Sequence, residues 1–292
     1  MALSIKPYIE NKERIHLIGI GGVSMNSLAE LLLSKGVPVS GSDRLRTDVT
    51  ARLEALGAAI TYEHRPENVE GASLIVRTAA VHDENPEIVR AHELGIPVME
   101  RAEAWGHIMR DYDNVVCLSG THGKTTSTSM MTMMTIEAQM DPTVMVGSNL
   151  PAIGGTLRIG GKGCFVAESC EYTNSFLRFA PTVSVILNVE EDHLDFFKDI
   201  NDIIHSFHEF AELTPMNGLV VVNHDDPNAM RAQRVLELNL DHPAVKALDA
   251  ARQENPERAA VMAKVLFAQA QLVAGITPDD PAEYGELVCK LF

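Results

Sequence analysis

The sequence predicts an α/β fold built on parallel sheets. Three observations carry that reading. Short β-branched runs alternate with amphipathic stretches along most of the chain, two of those runs empty into glycine-rich turns that open helices, and beyond residue 230 only helical patterns remain.

Arg14 to Ile20 reads as the first strand and ends in Gly19-Ile20-Gly21-Gly22-Val23-Ser24-Met25. A helix from Asn26 to Lys35 follows and Gly36 stops it. Val37 to Ser40 makes a second strand closing on Gly41-Ser42-Asp43, so an acid stands about 20 residues beyond the glycines, the layout of a Rossmann-like dinucleotide fingerprint. Ser24 occupies the place of the third glycine, and the same residues also suit a tight turn with no ligand. The alternation continues with a helix from Val49 to Leu56, strands Ala58 to Tyr62 and Leu74 to Arg77, a helix from Pro86 to Leu94 closed by Gly95, and a strand from Ile96 to Met99. Ligands of such sheets sit beyond the carboxyl ends of the strands. Thr78-Ala79-Ala80 emerges from one such end, either to line the site of Gly21 and Asp43 or as a plain small-residue turn. Ala102 to Arg110 leads out of this domain, placed at 1–110.

A second α/β unit, 111–230, opens with the strand Val115 to Leu118 and the loop Gly120-Thr121-His122-Gly123-Lys124-Thr125-Thr126. Gly120 and Gly123 let amide groups converge on anionic oxygens, the helix start adds about half a positive charge, Lys124 a full one, and Thr125 offers a hydroxyl to a metal. Leu118 stands where the general phosphate loop has another glycine, so this is a shorter variant. The helix runs from Lys124 to Gln139, and Met130, Met131, Met133 and Met134 on it read as core packing. Thr143 to Val146 is a strand; Thr156 to Ile159, between Gly154-Gly155 and the glycines at 160, 161 and 163, reads as a hairpin with a glycine turn. Strand Cys164 to Ala167 delivers Glu168, and strand Val183 to Leu187 delivers Asn188, Glu190, Glu191, Asp192, His193 and Asp195. Acids and a histidine at strand ends beside a phosphate loop are placed to hold Mg²⁺; without the loop they would read as solvated surface. His205 and His208, three apart on a helix from Ile200 to Ala211, read as exposed or capping.

The tail, 231–292, carries Val235 to Leu240, then Asp241-His242-Pro243 and a helix from Ala244 to Ala251. Asn255 and Pro256 open a second helix with Met262, Val265, Leu266, Leu272 and Val273 on one stripe, ended by Gly275. Asp280-Pro281 opens a third, with Tyr284, Leu287, Val288 and Leu291 on one side. Stripes on such short helices need the body of the protein or a second copy to cover them.

Composition bounds the partners. A formal charge of −16 over 292 residues argues against a nucleic-acid surface. No apolar run approaches the ~20 residues that cross a bilayer and no charged-then-apolar leader opens the chain, so membrane insertion is not expected and cytoplasm is the default location. Cys117, Cys164, Cys170 and Cys289 lack paired spacing and read as small buried hydrophobes.

Five segments together resemble the Mur ligase family: His16-Leu17-Ile18-Gly19-Ile20-Gly21-Gly22, Gly41-Ser42-Asp43, the loop Gly120 to Thr126, Ala167-Glu168-Ser169-Cys170-Glu171, and Asn188-Val189-Glu190-Glu191-Asp192-His193. Within that family, the histidine inside Gly-Thr-His-Gly-Lys points to the member that adds L-alanine. The resemblance implies an ATP-dependent, ADP-forming ligation in which the carboxylate of UDP-N-acetylmuramate is phosphorylated and the L-alanine amine displaces phosphate. It assigns Gly120, Thr121, His122, Gly123, Lys124, Thr125 and Thr126 to the ATP phosphates, and Thr125 and Glu168 to magnesium. His193 goes to the metal or the reacting phosphate, so that Lys124, Glu168 and His193 form the catalytic set. Gly19, Gly21, Gly22, Ser24, Met25, Asp43 and Thr78 would face the UDP-sugar, with Asn174 near the sugar acid or its phosphates. The resemblance stops near Asn228, partway through the family's central domain, and leads to the expectation of a ligase without the third domain and with impaired turnover. About 232–292 instead resembles the C-terminal dimerisation segment of the bacterial chaperone HtpG, which suggests a homodimer. The competing expectation is a dimeric module that binds nucleotide or UDP-sugar without ligation.

Overall fold

The segment ahead of Arg14 is structured. In the computed structural model, which describes residues 3–232, 242–273 and 280–291, it forms a short helix, α1 (Lys6–Glu10). Ile5 before it is fully buried and Tyr8 and Ile9 pack on the core, which is why so short a helix persists. Five strands then build a wholly parallel sheet: β1 (Ile15–Ile18), β2 (Val39–Ser42), β3 (Ala59–Thr61), β4 (Leu74–Arg77) and β5 (Val98–Glu100), in the order β3-β2-β1-β4-β5. All four residues of β1 are buried, as a strand covered on both faces requires. The helices α2 (Val23–Ser34), α3 (Asp48–Ala55), α4 (Pro86–Glu93) and α5 (Arg101–Met109) alternate with these strands. Thr47 caps α3 through a reciprocal bond with Thr50, and Asn85 caps α4 with Pro86 in its first turn.

A second sheet contains β6 (Val115–Ser119), β7 (Thr143–Leu150), β8 (Gly155–Arg158), β9 (Phe165–Glu168), β10 (Val183–Ile186) and β11 (Leu219–Val222) in the order β11-β10-β6-β9-β7-β8. Every pairing is parallel except β7 with β8. That pair is the expected hairpin, but its turn is Pro151–Ile153 with Gly154 in the left-handed region; the glycines after 159 lead on to β9. Three helices belong here: α6 (Lys124–Glu137) after β6, α7 (Ile200–Glu212) between β10 and β11, and α8 (Pro227–Ala232).

One apolar core joins the two sheets. Trp105 of α5 meets the edge of Phe165 of β9 at 5.9 Å between ring centres, and Phe165 also meets Tyr112 at 4.9 Å. The Trp105 indole N–H donates to the Ser24 carbonyl (3.2 Å), and the Ser27 and Thr156 hydroxyls bond at 3.0 Å. These contacts tie the two sheets together within the compact unit Met1–Gln233.

Two expectations about packing fail. Met130, Met133 and Met134 are exposed, and of the four methionines only Met131 packs against buried residues. Helix α6 turns Thr128, Thr132 and Thr135 to the sheet instead. Thr132 and Thr135 can be buried because their hydroxyls donate to helix carbonyls, Thr132 to Thr128 at 2.7 Å and Thr135 to Met131 at 2.9 Å. Among the cysteines, Cys117 and Cys164 are buried but Cys170 and Cys289 are exposed, since both lie beyond the ends of packed elements or on an open helix face.

The second compact unit, Arg234–Phe292, contains α9 (Pro243–Glu254), α10 (Pro256–Val273) and α11 (Pro281–Cys289). His242, Asn255 and Asp280 cap them through their side chains. Met262, Val265 and Leu266 on α10, Tyr284, Leu287 and Val288 on α11 and Leu291 just beyond it are half-buried, whereas Leu272 is exposed. Tyr284 donates to Gln269 (2.8 Å) and Lys264 pairs with Glu283 (3.0 Å). The run Val235 to Leu240 and Gly275 lie outside the described residues. Among the described residues no helix is long and apolar enough to cross a membrane.

Candidate active site

The phosphate loop is shaped before any ligand arrives. Gly120 has φ +143°, and a Cβ there would sit 2.9 Å from Leu187 Cβ and 3.2 Å from the Asn188 backbone, so only glycine fits. Gly123, at φ +82°, caps α6 with no side-chain bond, leaving the first-turn amides without a capping acceptor. Asn188, at the end of β10, clamps the loop three times: its carbonyl accepts from the Thr121 amide (3.1 Å), and its side chain accepts from the His122 amide (2.8 Å) and donates to the His122 carbonyl (3.0 Å). The Thr121 hydroxyl is buried against Glu190, whose amide donates to it at 2.9 Å. The His122 and Thr126 side chains are exposed.

The charged groups divide into two sets. The Lys124 ammonium donates to the Gly120 and Thr121 carbonyls (2.7 and 3.1 Å) and pairs with the buried Glu171 at 2.9 Å. Glu168, carried beside the loop because β9 pairs with β6, accepts from the Thr125 hydroxyl (2.9 Å) and from the Gly147 amide (2.6 Å). A Cβ at residue 147 would collide with that carboxylate. His193 sits in the left-handed region with its Nε2 3.8 Å from Glu171, and its ring lies 4.5 Å from that of Tyr172. Tyr172 in turn donates to Asp195 at 2.7 Å, a bond that raises its hydroxyl pKa. Ligand atoms of Glu171, Asp192 and His193 lie within 4.8 Å of one another; Glu168 stands outside that cluster, beside Thr125.

Thr125 and Glu168 offer oxygen atoms only, the donor chemistry Mg²⁺ takes when phosphates supply further ligands. In the cluster across the loop, Glu171 Oε2 is buried without a hydrogen bond and lies 2.9 Å from the Lys124 ammonium. Sequence reading assigned Glu171 and Asn188 no role. The signal available was position: one follows β9 by three residues and the other follows β10 by two, so both emerge where the loop does.

The first glycine turn forms the floor of a cleft of about 830 Å³ lined by Gly19, Gly21, Gly22, Asp43 and Thr78. Asp43 is partly engaged, accepting from the Gly21 amide (2.8 Å) and from Arg44 (2.7 Å). A second cleft, about 750 Å³, is lined by Ser24, Thr78, Gly147, Glu168 and Tyr172. Thr78, Ala80 and His82 border both, so the clefts adjoin along the segment that follows β4. Met25 does not face these clefts. Helix α2 begins at Val23, not Asn26, which places Met25 on one face with Leu28, Ala29 and Leu32, fully buried. The Asn174 side chain is also elsewhere: Thr173 and Asn174 both take left-handed angles, and Asn174 accepts from Ser206 of α7 at 2.5 Å, while Thr173 and Ser175 line the cleft.

Beneath the first cleft, Glu87 is fully buried. Burial by itself would push its carboxyl pKa up, but bonds from His16, Ser42, Asn68 and His64 outweigh that and hold it below the usual carboxylate value. His205 and His208 sit opposite Glu209 and Glu212 along α7, away from the clefts.

Two family models match. Residues 14–113 match the Mur ligase family catalytic domain and residues 118–269 the Mur ligase middle domain, a match that continues past Asn228 into α10. The chain is 48% identical over 231 residues to a UDP-N-acetylmuramate–L-alanine ligase of Clostridium novyi, and 49% identical over 232 residues to one of Caldanaerobacter subterraneus. These alignments cover 79% and 80% of this chain but 50% of each relative, so the chain spans about half the length of the curated relatives it matches. Among solved structures it resembles UDP-N-acetylmuramate-alanine ligase MurC of Thermotoga maritima (TM-score 0.69, 31% identity, 75% of this chain and 51% of that one). It also resembles a UDP-N-acetylmuramate:L-alanyl-gamma-D-glutamyl-meso-diaminopimelate ligase of Neisseria meningitides (TM-score 0.71, 26% identity, 75% and 74%).

Proposed function

The chain belongs to the Mur ligase family, and from that premise we propose that it serves the ATP-dependent, ADP-forming joining of L-alanine to UDP-N-acetylmuramate in peptidoglycan precursor synthesis, in the cytoplasm. One observation carries the reading: the cleft at the first glycine turn shares Thr78, Ala80 and His82 with a second cleft lined by Glu168, the residue that accepts from Thr125 of the phosphate loop. A sugar nucleotide seated on Gly19, Gly21 and Gly22 with its sugar past Thr78 would bring its acid toward the place where ATP phosphates meet Lys124.

The chemistry asks for such adjoining clefts. A carboxylate resists attack by an amine until one of its oxygens becomes a phosphate leaving group, so two anions must be held together. In this reading the capless start of α6, Lys124 and the loop residues Gly120 to Thr126 neutralise the ATP phosphates, and Lys124 exchanges its carbonyl and Glu171 contacts for them. Thr125 and Glu168 would hold Mg²⁺, which supplies charge neutralisation between the phosphates. His193, with Glu171 and Asp192, faces the same charge from across the loop. The domain limits 1–110, 111–230 and 231–292 assign the sugar-nucleotide cleft to the first domain and the loop to the second.

The test is ADP release measured with UDP-N-acetylmuramate and L-alanine, singly and together. Release that requires both supports ligation, and release indifferent to L-alanine refutes it. A second reading rests on the helical unit, where only Ala259 and Ala268 among the described residues are buried. We read its half-covered stripes as pairing two copies into a module that binds nucleotide or UDP-sugar. A monomeric mass by light scattering rejects that pairing.

A further inference from the structure

A row of residues crosses the carboxyl end of the first sheet. Leu17 of β1 pairs with Val76 of β4, and Arg77 of β4 with Glu100 of β5. Gly19, Thr78 and Arg101 are the residues that directly follow β1, β4 and β5, three adjacent strands of which β4 is the middle one.

Arg101 lines the second cleft together with Thr78, Glu168 and Tyr172. Its Nε is buried with no hydrogen-bond partner, and among the described residues nothing forms an ion pair with its guanidinium. The adjacent Glu100 is engaged by Arg77 at 3.0 Å. Burial drives the Arg101 pKa down, opposed by Cys170 and Glu100. Arginine is rarely left this way inside a protein, because desolvating an unpaired charge is costly and its planar fork is matched by carboxylates and phosphates.

We propose that Arg101 binds the carboxylate of the sugar acid, holding it against the wall of the cleft that carries Glu168. The inference rests on the sugar-nucleotide reading above. With the diphosphate at Gly19 to Gly22, the next anionic group along such a molecule lies beyond Thr78, where Arg101 waits without a counter-charge. A carboxylate also accounts for the choice of arginine, whose paired N–H groups fix both oxygens and so orient the one to be phosphorylated.

The experiment is calorimetric titration of the full chain and of R101A and R101K with UDP-N-acetylmuramate, UDP-N-acetylglucosamine, which lacks the carboxylate, and ATP. Expected for R101A is an affinity for the acid sugar at least about tenfold lower, with the neutral sugar and ATP within about twofold. R101K should recover part of the loss, showing that charge and not folding is at issue. Equal weakening toward both sugars, weakening toward ATP alone, or no change overturns the proposal while leaving the sugar-nucleotide reading intact. If the unmodified chain binds neither sugar, that reading fails and this inference falls with it.

Discussion

The Thr125 hydroxyl donates to Glu168 Oε1 at 2.9 Å, tying the first turn of α6 to the end of β9. Two residues 43 positions apart are thereby set as neighbours around one point at the mouth of the phosphate loop.

Glu168→Gln keeps the size of this side chain and removes its charge. Nucleotide affinity in the presence of Mg²⁺ is expected to fall about tenfold or more, in line with the loss of a charge-assisted contact, with little change when Mg²⁺ is chelated. Titration calorimetry with and without the metal measures both. Equal losses in the two conditions would mean that Glu168 only shapes the loop.

The Lys124–Glu171 pair is mostly buried, with 14% and 2% of the side chains exposed. Lys124→Ala would strand the Glu171 carboxylate and is expected to cost about 3–5 kcal/mol. Adding Glu171→Gln should recover much of that loss. Urea unfolding curves give the comparison, and a single variant as stable as the parent chain rejects this account of the pair.

Gly106 lies in α5 where a Cβ would run into the Arg178 carbonyl, at the seam between the sheets. Gly106→Ala should destabilise by about 3 kcal/mol, as overpacking against backbone does. Gly285, in α11 with open space around it, is the contrast: Gly285→Ala should stabilise its helix by about 0.5–1 kcal/mol. Thermal unfolding monitored by circular dichroism decides both; a harmless G106A would show that the seam yields.

Glu87 links stability to pH. Burial opposes its ionisation, the four bonds around it win, and its folded pKa lies below the unfolded value of about 4.3. Its contribution is therefore complete above about pH 4.3 and is lost as pH falls through the lower folded pKa. Glu87→Gln should cost about 1–3 kcal/mol at pH 7, and its deficit should shrink on acidification below pH 4.3. Denaturant midpoints between pH 7 and 3 provide the check, and a constant deficit contradicts it.

Amino-acid order alone determined the alternation of strand and helix, the two glycine turns, the position of Glu168 at a strand end and the caps at Asn255 and Asp280, because each depends on groups within a few residues of one another. Tertiary structure decided which faces turn inward and which ends meet. Met25 is apolar and next to a glycine turn, which suits a ligand or a core equally well; the start of α2 at Val23 settled it as core. The methionines of α6 lost the buried face to threonines, two of which, Thr132 and Thr135, bond their hydroxyls within the helix, a balance that hydrophobicity does not register. Glu171 became the partner of Lys124, and Arg101 was left without one among the described residues, only when β9 paired with β6 and β5 with β4. Such pairings are fixed by the register of strands far apart in the chain, and a charge acquires its counter-charge, or lacks one, only after that register is set.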